Sequence, residues 1–376
     1  MASNEYRILC AAGHLNPSIN HLENLQNMLT RPVDGDRLIE LAVREGLAGL
    51  LYKNLIKAGF VTHLGLAQEQ RLQSLYYLNV RNNLKLLHDL KEILQRLNRH
   101  ATRVVLLQGM ALLQQIYQDV GLRPLTDIDL WVLPEDRRKL AEALTGLGYQ
   151  IDPTYPNTFR KGSTIVDVNT HILWADRIKT RRLLLDRSQK DIYDHCQIID
   201  CEGARCRCLN RHDQVLYLSL HALKHYGERL IWLADIRGLI AGWNPCDWEK
   251  LGKRADAMGQ QKAVACILFL LANLFDYQPP LEAQIPLGKT RLNRLERMIL
   301  NQRSNGHPLP QWSPLLLLSS GKSLRKRLAL GFETLFPRPE ILRQVFADAS
   351  QLSVRQIYWK RVRQIAGALK LQNYNQ

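Results

Sequence analysis

The stretch QGMALLQQIYQDVGLRPLTDIDL, from Gln108 to Leu130, decides how this chain is read. Just ahead of and into it, Arg103 to Gln108 (RVVLLQ) is a short valine and leucine run, the composition of a buried strand. Gly109 ends that run, and a helical pattern follows to Tyr117. The Gly and Pro of GLRPLT make a connection, after which Ile128 to Leu133 (IDLWVL) reads as a second short strand. Pro134 opens the next helix, PEDRRKLAEALTGLGY, with acidic residues in its first turn and Gly146 or Gly148 near its end. A third strand is predicted at Ser163 to Ile172, STIVDVNTHI. Strands alternating with helices outline a small unit of mixed class.

Outward from this unit the period changes. Between Asp36 and Leu97 it is helical: Leu38, Leu41 and Ala42 share a face, as do Leu47, Leu50, Leu51 and Leu55 beyond Gly46. After about Asn210 the helical period returns and persists, broken at WNP, YQPP, HPLP and FPRP. The expected organisation is therefore a helical region over 1–100, the strand-bearing core over 101–210, a helical domain over 211–310 and a basic helical region over 311–376. In the last of these, GKSLRKRLALGFETLF sets Leu324, Leu328, Phe332 and Leu335 on one face, with Lys322, Arg325 and Lys326 outside it.

Composition narrows the class. The 376 residues suffice for two or three domains, and 46% hydrophobic with 23% charged residues is ordinary for a folded chain. No apolar run reaches the roughly 18 residues of a membrane span. AVACILFLLANLF, Ala263 to Phe275, is read instead as a buried helix. The N-terminus MASNEYRILCAAGHLN lacks a basic region followed by a long apolar core, so a cytoplasmic location is expected. Seven scattered cysteines do not resemble a disulfide framework. Cys201, Cys206 and Cys208 in CEGARCRC lack paired CxxC spacing and a fourth ligand, and a hairpin with small half-buried residues accounts for them better than zinc. The formal net charge of +16 favours anionic partners: a nucleoside triphosphate, nucleic acid or an acidic membrane surface.

The chemistry lies in the carboxylates. Hard Mg²⁺ or Mn²⁺ prefers carboxylate oxygens, and aspartates two apart on a strand point to the same side, so Asp127 and Asp129 form a pair with Ile128 turned into the core. Asp167 in IVDVNTH is the candidate third carboxylate: Asp167, Asn169 and His171 share one face while Val166, Val168 and Thr170 take the other. Gly109, at a strand-to-helix junction, lets a phosphate approach free backbone N–H groups, Met110 being the next of them.

The ordered set of strand, Gly109, helix, Arg123, Thr126, Asp127, Asp129 and strand resembles the DNA polymerase beta-like nucleotidyltransferase superfamily, in particular an uncharacterised bacterial nucleotidyltransferase family. The likeness is close over Val104 to Trp174 and looser over DRLIELAVREGLAGLLYKNL, SLHALKHYGERLIWLADI and LFPRPEILR. It implies an α+β fold, a small nucleotidyltransferase-type mixed sheet with flanking helices, embedded between helical N-terminal and C-terminal regions. It also implies that Asp127 and Asp129 hold the metal, that Asp167 is similar to the third carboxylate, and that Gly109 faces nucleotide phosphates. Two positions depart from the pattern. Gln108 stands where a lysine is common, and Asn169 where a histidine often follows the third acidic residue. Loss of the lysine removes a positive charge aimed at phosphate, which Arg123 either replaces or leaves missing by pairing with an aspartate.

Farther along, His221, Lys224 and His225 share a helical face, but the glutamate of an HExxH site is absent, so instead of a zinc site a helix packed over the active-site mouth is expected, with Lys224 or a histidine meeting nucleotide or acceptor, or with a purely structural face. From Gly321 to Gln376 there are eleven basic and three acidic residues, with Tyr358, Trp359 and Tyr374 among them, a composition that suits RNA or an anionic membrane surface. The expected activity is transfer of a nucleoside monophosphate from an NTP to a hydroxyl on a protein or peptide, an RNA end or a small molecule. A degenerate nucleotidyltransferase fold used for binding, or an RNA-binding protein, are the alternatives.

Overall fold

The computed structural model describes residues 2–281, 290–346 and 352–372; Tyr374 lies outside them. Val104, Val105 and Leu106 are enclosed on all sides and form β1 (Val104–Leu106), near the middle of a seven-stranded sheet. Its other strands are β2 (Ile128–Val132), β3 (Gln150–Ile151), β4 (Thr158–Lys161), β5 (Thr164–Asn169), β6 (Gln197–Cys201) and β7 (Ala204–Cys208). They lie in the order β3-β4-β5-β2-β1-β7-β6. β2 runs parallel to β5 and β1 parallel to β7, and the other neighbours are antiparallel. The sheet is mixed and the protein is α+β, as expected.

The central strands form where the sequence is apolar on both faces. All five residues of β2 are buried, whereas β5 alternates buried Thr164, Val166 and Val168 with half-buried Ile165, Asp167 and Asn169. The run predicted to Ile172 stops as a strand at Asn169, because the Asp176 carboxylate accepts the Thr170 and His171 N–H groups at 2.8 and 3.2 Å and turns the chain away. The first run pairs only over Val104–Leu106: Gln108 takes a positive φ of 51° and starts a helix. CEGARCRC does form a hairpin, β6 with β7, in which Cys201, Cys206 and Cys208 are buried and unpaired.

Helices surround this sheet. α1 (Asn4–Ala12), α2 (Ile19–Leu29), α3 (Gly35–Glu45) and α4 (Ala48–Lys57) precede α5 (Leu66–Arg99), 34 residues long. Asn83 is buried on α5, where its amide donates to the Val120 and Arg123 carbonyls at 2.6 and 2.7 Å and accepts the Leu125 N–H at 3.2 Å. One side chain thereby pins the connection that delivers the Asp127 and Asp129 segment to the sheet. α6 (Gln108–Gln115), α7 (Arg137–Gly146) and α8 (Gln189–Asp194) lie within the strand-bearing part. α9 (Arg211–Lys224) is buried from Asp213 to Leu223, and α10 (Leu230–Leu239) and α11 (Pro245–Met258) follow it. α12 (Gln261–Leu274) is the apolar run of the sequence, buried at Ala263, Val264, Cys266, Ile267, Leu270 and Leu271. Beyond it come α13 (Arg294–Ser304), α14 (Ser313–Leu317), α15 (Leu324–Leu335), α16 (Pro339–Val345) and α17 (Val354–Gln372). One hydrophobic core extends from Tyr6 to Leu330, and a small second cluster joins Leu342, Phe346 and Ile357. Among the described residues no helix is long and apolar enough to cross a membrane.

Candidate active site

The parallel register of β2 and β5 sets Asp129 directly beside Asp167. Asp127, two residues ahead of Asp129, presents its side chain to the same face. One carboxylate oxygen from each of the three lies within 4.8 Å of the others, the one such group of three acidic, histidine or cysteine ligands among the described residues. Thr126 Oγ1 donates to Asp127 at 3.0 Å and Thr158 Oγ1 to Asp167 at 2.5 Å, while among the described residues no lysine or arginine is hydrogen-bonded to any of the three. Burial, with Asp127 and Asp167 alongside, holds the Asp129 carboxyl well above the ordinary range. Burial likewise raises Asp127, and the Asp167 charge adds to it. Crowded carboxylates without a protein cation between them suit a hard divalent ion with oxygen ligands, so the residues fit Mg²⁺ or Mn²⁺.

The cluster opens on a cavity of about 720 Å³, within the size range of small-molecule sites. Arg177, Arg181, Lys224 and Arg229 line the same cavity. Lys224 Nζ stands 3.7 Å from the centre of the Trp174 ring. Burial and the neighbouring Arg181 push its ammonium well below the ordinary lysine range, against the pull of Asp129 and Asp167. Burial and Arg177 bring Arg181 down to about 10. Half-buried cations that repel one another are relieved by an anion entering between them.

Arg123 lines the cavity, but its charge is already paired. Its Nε and Nη2 grip the Asp235 carboxylate at 3.0 and 2.8 Å, and Tyr117 donates to the same carboxylate at 2.7 Å. A Cβ on Gly109 would lie 2.1 Å from Arg123 Nη1, so the missing side chain makes room for this guanidinium at the start of α6. Gln108 and Thr126 border the cavity, whereas the Met110 side chain is buried in the core. Asn169 lines the cavity beside Asp167; the His171 ring turns to its own loop, where Nδ1 accepts the Leu173 N–H at 3.1 Å. At the end of α9, His221 and His225 stand 4.7 Å apart between ring centres, with Trp232 edge-on to His221 at 5.1 Å. Burial, then Lys224, pushes His225 down to about 3, and burial pushes His221 well below the ordinary range, so both are neutral near pH 7.

The sequence model of a family described as uncharacterised nucleotidyltransferase matches residues 31–276. The chain belongs to this family. No curated protein and no solved structure matches it. The matched span of this nucleotidyltransferase holds all three aspartates and Lys224 and ends at the close of α12. The cavity does not end there. Thr334, Pro337, Ile341, Leu342, Gln344, Val345 and Arg361 also line it, so the LFPRPEILR segment beyond the match is one of its walls.

Several lining residues escape sequence reasoning. Trp174 and Trp232 look like core aromatics in the sequence, and Arg361 like one more charge on a solvated basic helix. For Arg177 and Arg181 a signal existed: DRIKTRR, directly after β5, packs four basic residues into seven at the mouth of the carboxylate strand.

Proposed function

We propose that this nucleotidyltransferase moves a nucleoside monophosphate from an NTP to a hydroxyl-bearing acceptor, releasing pyrophosphate, on a polymerase beta-like catalytic core. One observation carries the reading: three carboxylates, two on adjacent parallel strands and one at the start of the first, line a single cavity together with Arg177, Arg181 and Lys224. Asp127 and Asp129 would hold divalent metal, Asp167 would complete the second metal position, and bound Mg²⁺ or Mn²⁺ would neutralise the triphosphate. The chain's own residues supply the rest. Arg177, Arg181 and Lys224 attract and orient the phosphates, and the backbone around Gly109 and Met110 offers N–H groups at the start of α6. Asp167 lies within reach of an acceptor hydroxyl brought to the cluster and can take its proton. Where the family pattern has lysine in place of Gln108, Lys224 from another element would supply the cation once phosphate charge entering the cavity holds its proton. Trp174, held under Lys224, lines the cavity beside it.

The test is incubation with each α-labelled NTP, Mg²⁺ or Mn²⁺ and host extract. Wild type is expected to label an acceptor and Asp129→Asn to lose at least about 10³-fold of the activity while remaining folded. Equal behaviour of the two proteins with all four nucleotides would overturn the transferase reading and leave a nucleotide-binding module.

A further inference from the structure

α15 is inverted relative to the usual amphipathic rule. Leu324, Leu328 and Phe332, one turn apart, are 69%, 65% and 69% exposed, although apolar side chains at that spacing ordinarily turn into a core. The helix is held by its other side. Leu330 is buried, Lys326 Nζ donates to Asp186 at 2.7 Å, and the Glu333 carboxylate accepts the Lys179 and Thr180 N–H groups at 2.9 and 2.6 Å. These attachments fix which face points out, and nothing among the described residues covers it.

The outward face has a definite chemistry. At about 100° per residue, Leu324, Leu328 and Phe332 make a narrow stripe, and Arg325 and Arg327, both exposed, flank it on opposite sides. Glu333, the one acid on the helix, is turned inward and engaged. Trp359 and Val362 on α17 are exposed too, with the Arg363 guanidinium 5.4 Å from the Trp359 ring centre.

We propose that α15 docks on an anionic phospholipid bilayer, with Leu324, Leu328 and Phe332 entering the acyl boundary and Arg325 and Arg327 meeting lipid phosphates. An apolar stripe edged by cations is what an interfacial helix presents to such a surface. A second copy of this chain would set arginines against arginines, and RNA would leave the leucines and Phe332 in water. Thr334 of the same helix lines the active-site cavity, so docking holds that cavity at the lipid surface. The inference is independent of the transferase reading.

The test is flotation of the full chain with vesicles of phosphatidylcholine alone, or with about one-third phosphatidylserine. Wild type floats with the anionic vesicles and not the neutral ones, and about 0.5 M salt weakens the association. Leu328→Gln with Phe332→Gln, and separately Arg325→Gln with Arg327→Gln, each reduce binding by about tenfold or more. All four positions face solvent, the Phe332 ring meeting Phe336 at 5.7 Å between centres, so thermal unfolding stays close to the wild-type midpoint. The proposal fails if wild type ignores anionic vesicles, if it floats equally with neutral ones, or if the apolar pair of substitutions leaves binding unchanged. It also fails if sedimentation finds a dimer that the Leu328→Gln, Phe332→Gln protein cannot form, which assigns the stripe to a second copy.

Discussion

At the scale of single residues the site is a set of charges held in unfavourable company until substrate arrives. Asp129 is buried beside Asp127 and Asp167, and its carboxyl is held high. A divalent ion must displace that proton, so affinity is expected to rise with pH through the raised pKa and fall as acid restores the proton. Titration calorimetry with Mn²⁺ in buffers of different ionisation enthalpy, between about pH 5 and 8, is expected to show proton release; no release means Asp129 is not a ligand. The stability sign follows. A carboxyl whose folded pKa exceeds its unfolded value stabilises the fold while protonated and loses that contribution as pH rises through the folded pKa. The metal-free protein therefore loses thermal stability as pH rises from the ordinary carboxylate range through the raised pKa, metal restores it, and Asp129→Asn removes the metal shift and the Asp129 share of the pH dependence, leaving that of Asp127. Lys224 is the counterpart in the same cavity. Lys224→Met is expected to raise the KM for NTP by about tenfold or more, through loss of a phosphate contact in a partly desolvated site. An unchanged KM would leave the lysine a stacking partner of Trp174 only.

At the scale of elements, legibility in the sequence follows how local the cause is. The Asp127–Asp129 pairing on one side and the place of Gly109 at a strand-to-helix junction follow from short-range rules, whereas the Arg123 guanidinium that fills the space over Gly109 does not, and β5 was legible from its alternating Val166, Asp167, Val168 and Asn169. That Asp167 lies opposite Asp129 depends on a crossover through α7 and a register that no spacing encodes. β3 and β4 were missed because two and four residues with little burial carry too weak a pattern. The partner of Arg123 lay 112 residues away on α10. Most distant was the C-terminal wall. Arg361 on α17 donates to the Leu335 carbonyl at 2.9 Å and the Gln364 side chain at 2.6 Å, tying α17 across the end of α15. Arg361→Met is expected to raise the KM of a cavity ligand by several-fold, with kcat reduced less, because the carboxylate strands keep their register. Steady-state kinetics check this, and a pure kcat defect would instead place the wall in the chemical step.

At the scale of the whole molecule, the helical regions before and after the sheet are joined by a buried ion pair. Arg303 on α13 and Glu45 at the end of α3 are each only 1% exposed and bonded to one another. The Glu45 carboxylate also accepts the Leu230 N–H at 3.1 Å, at the first turn of α10, and Tyr6 on α1 donates to the Arg303 carbonyl at 3.0 Å. Four helices from both ends of the chain thus converge on one pair, and α10 is the helix whose Asp235 holds Arg123 over Gly109. Removing one partner of a buried pair costs roughly 3 to 5 kcal/mol, the lower end applying where Arg303 is lost because the exposed Arg44 guanidinium still meets Glu45 at 3.3 Å, whereas replacing both with apolar groups of similar volume is often close to neutral. Arg303→Met alone is therefore expected to lower stability to urea by about that amount, and Glu45→Met with Arg303→Met to recover most of it. Because Glu45 also caps Leu230, the double variant retains a smaller deficit of about 1 kcal/mol, the cost of an unmade buried hydrogen bond. If the single and double variants lose stability equally, the convergence is held by apolar packing and not by the pair.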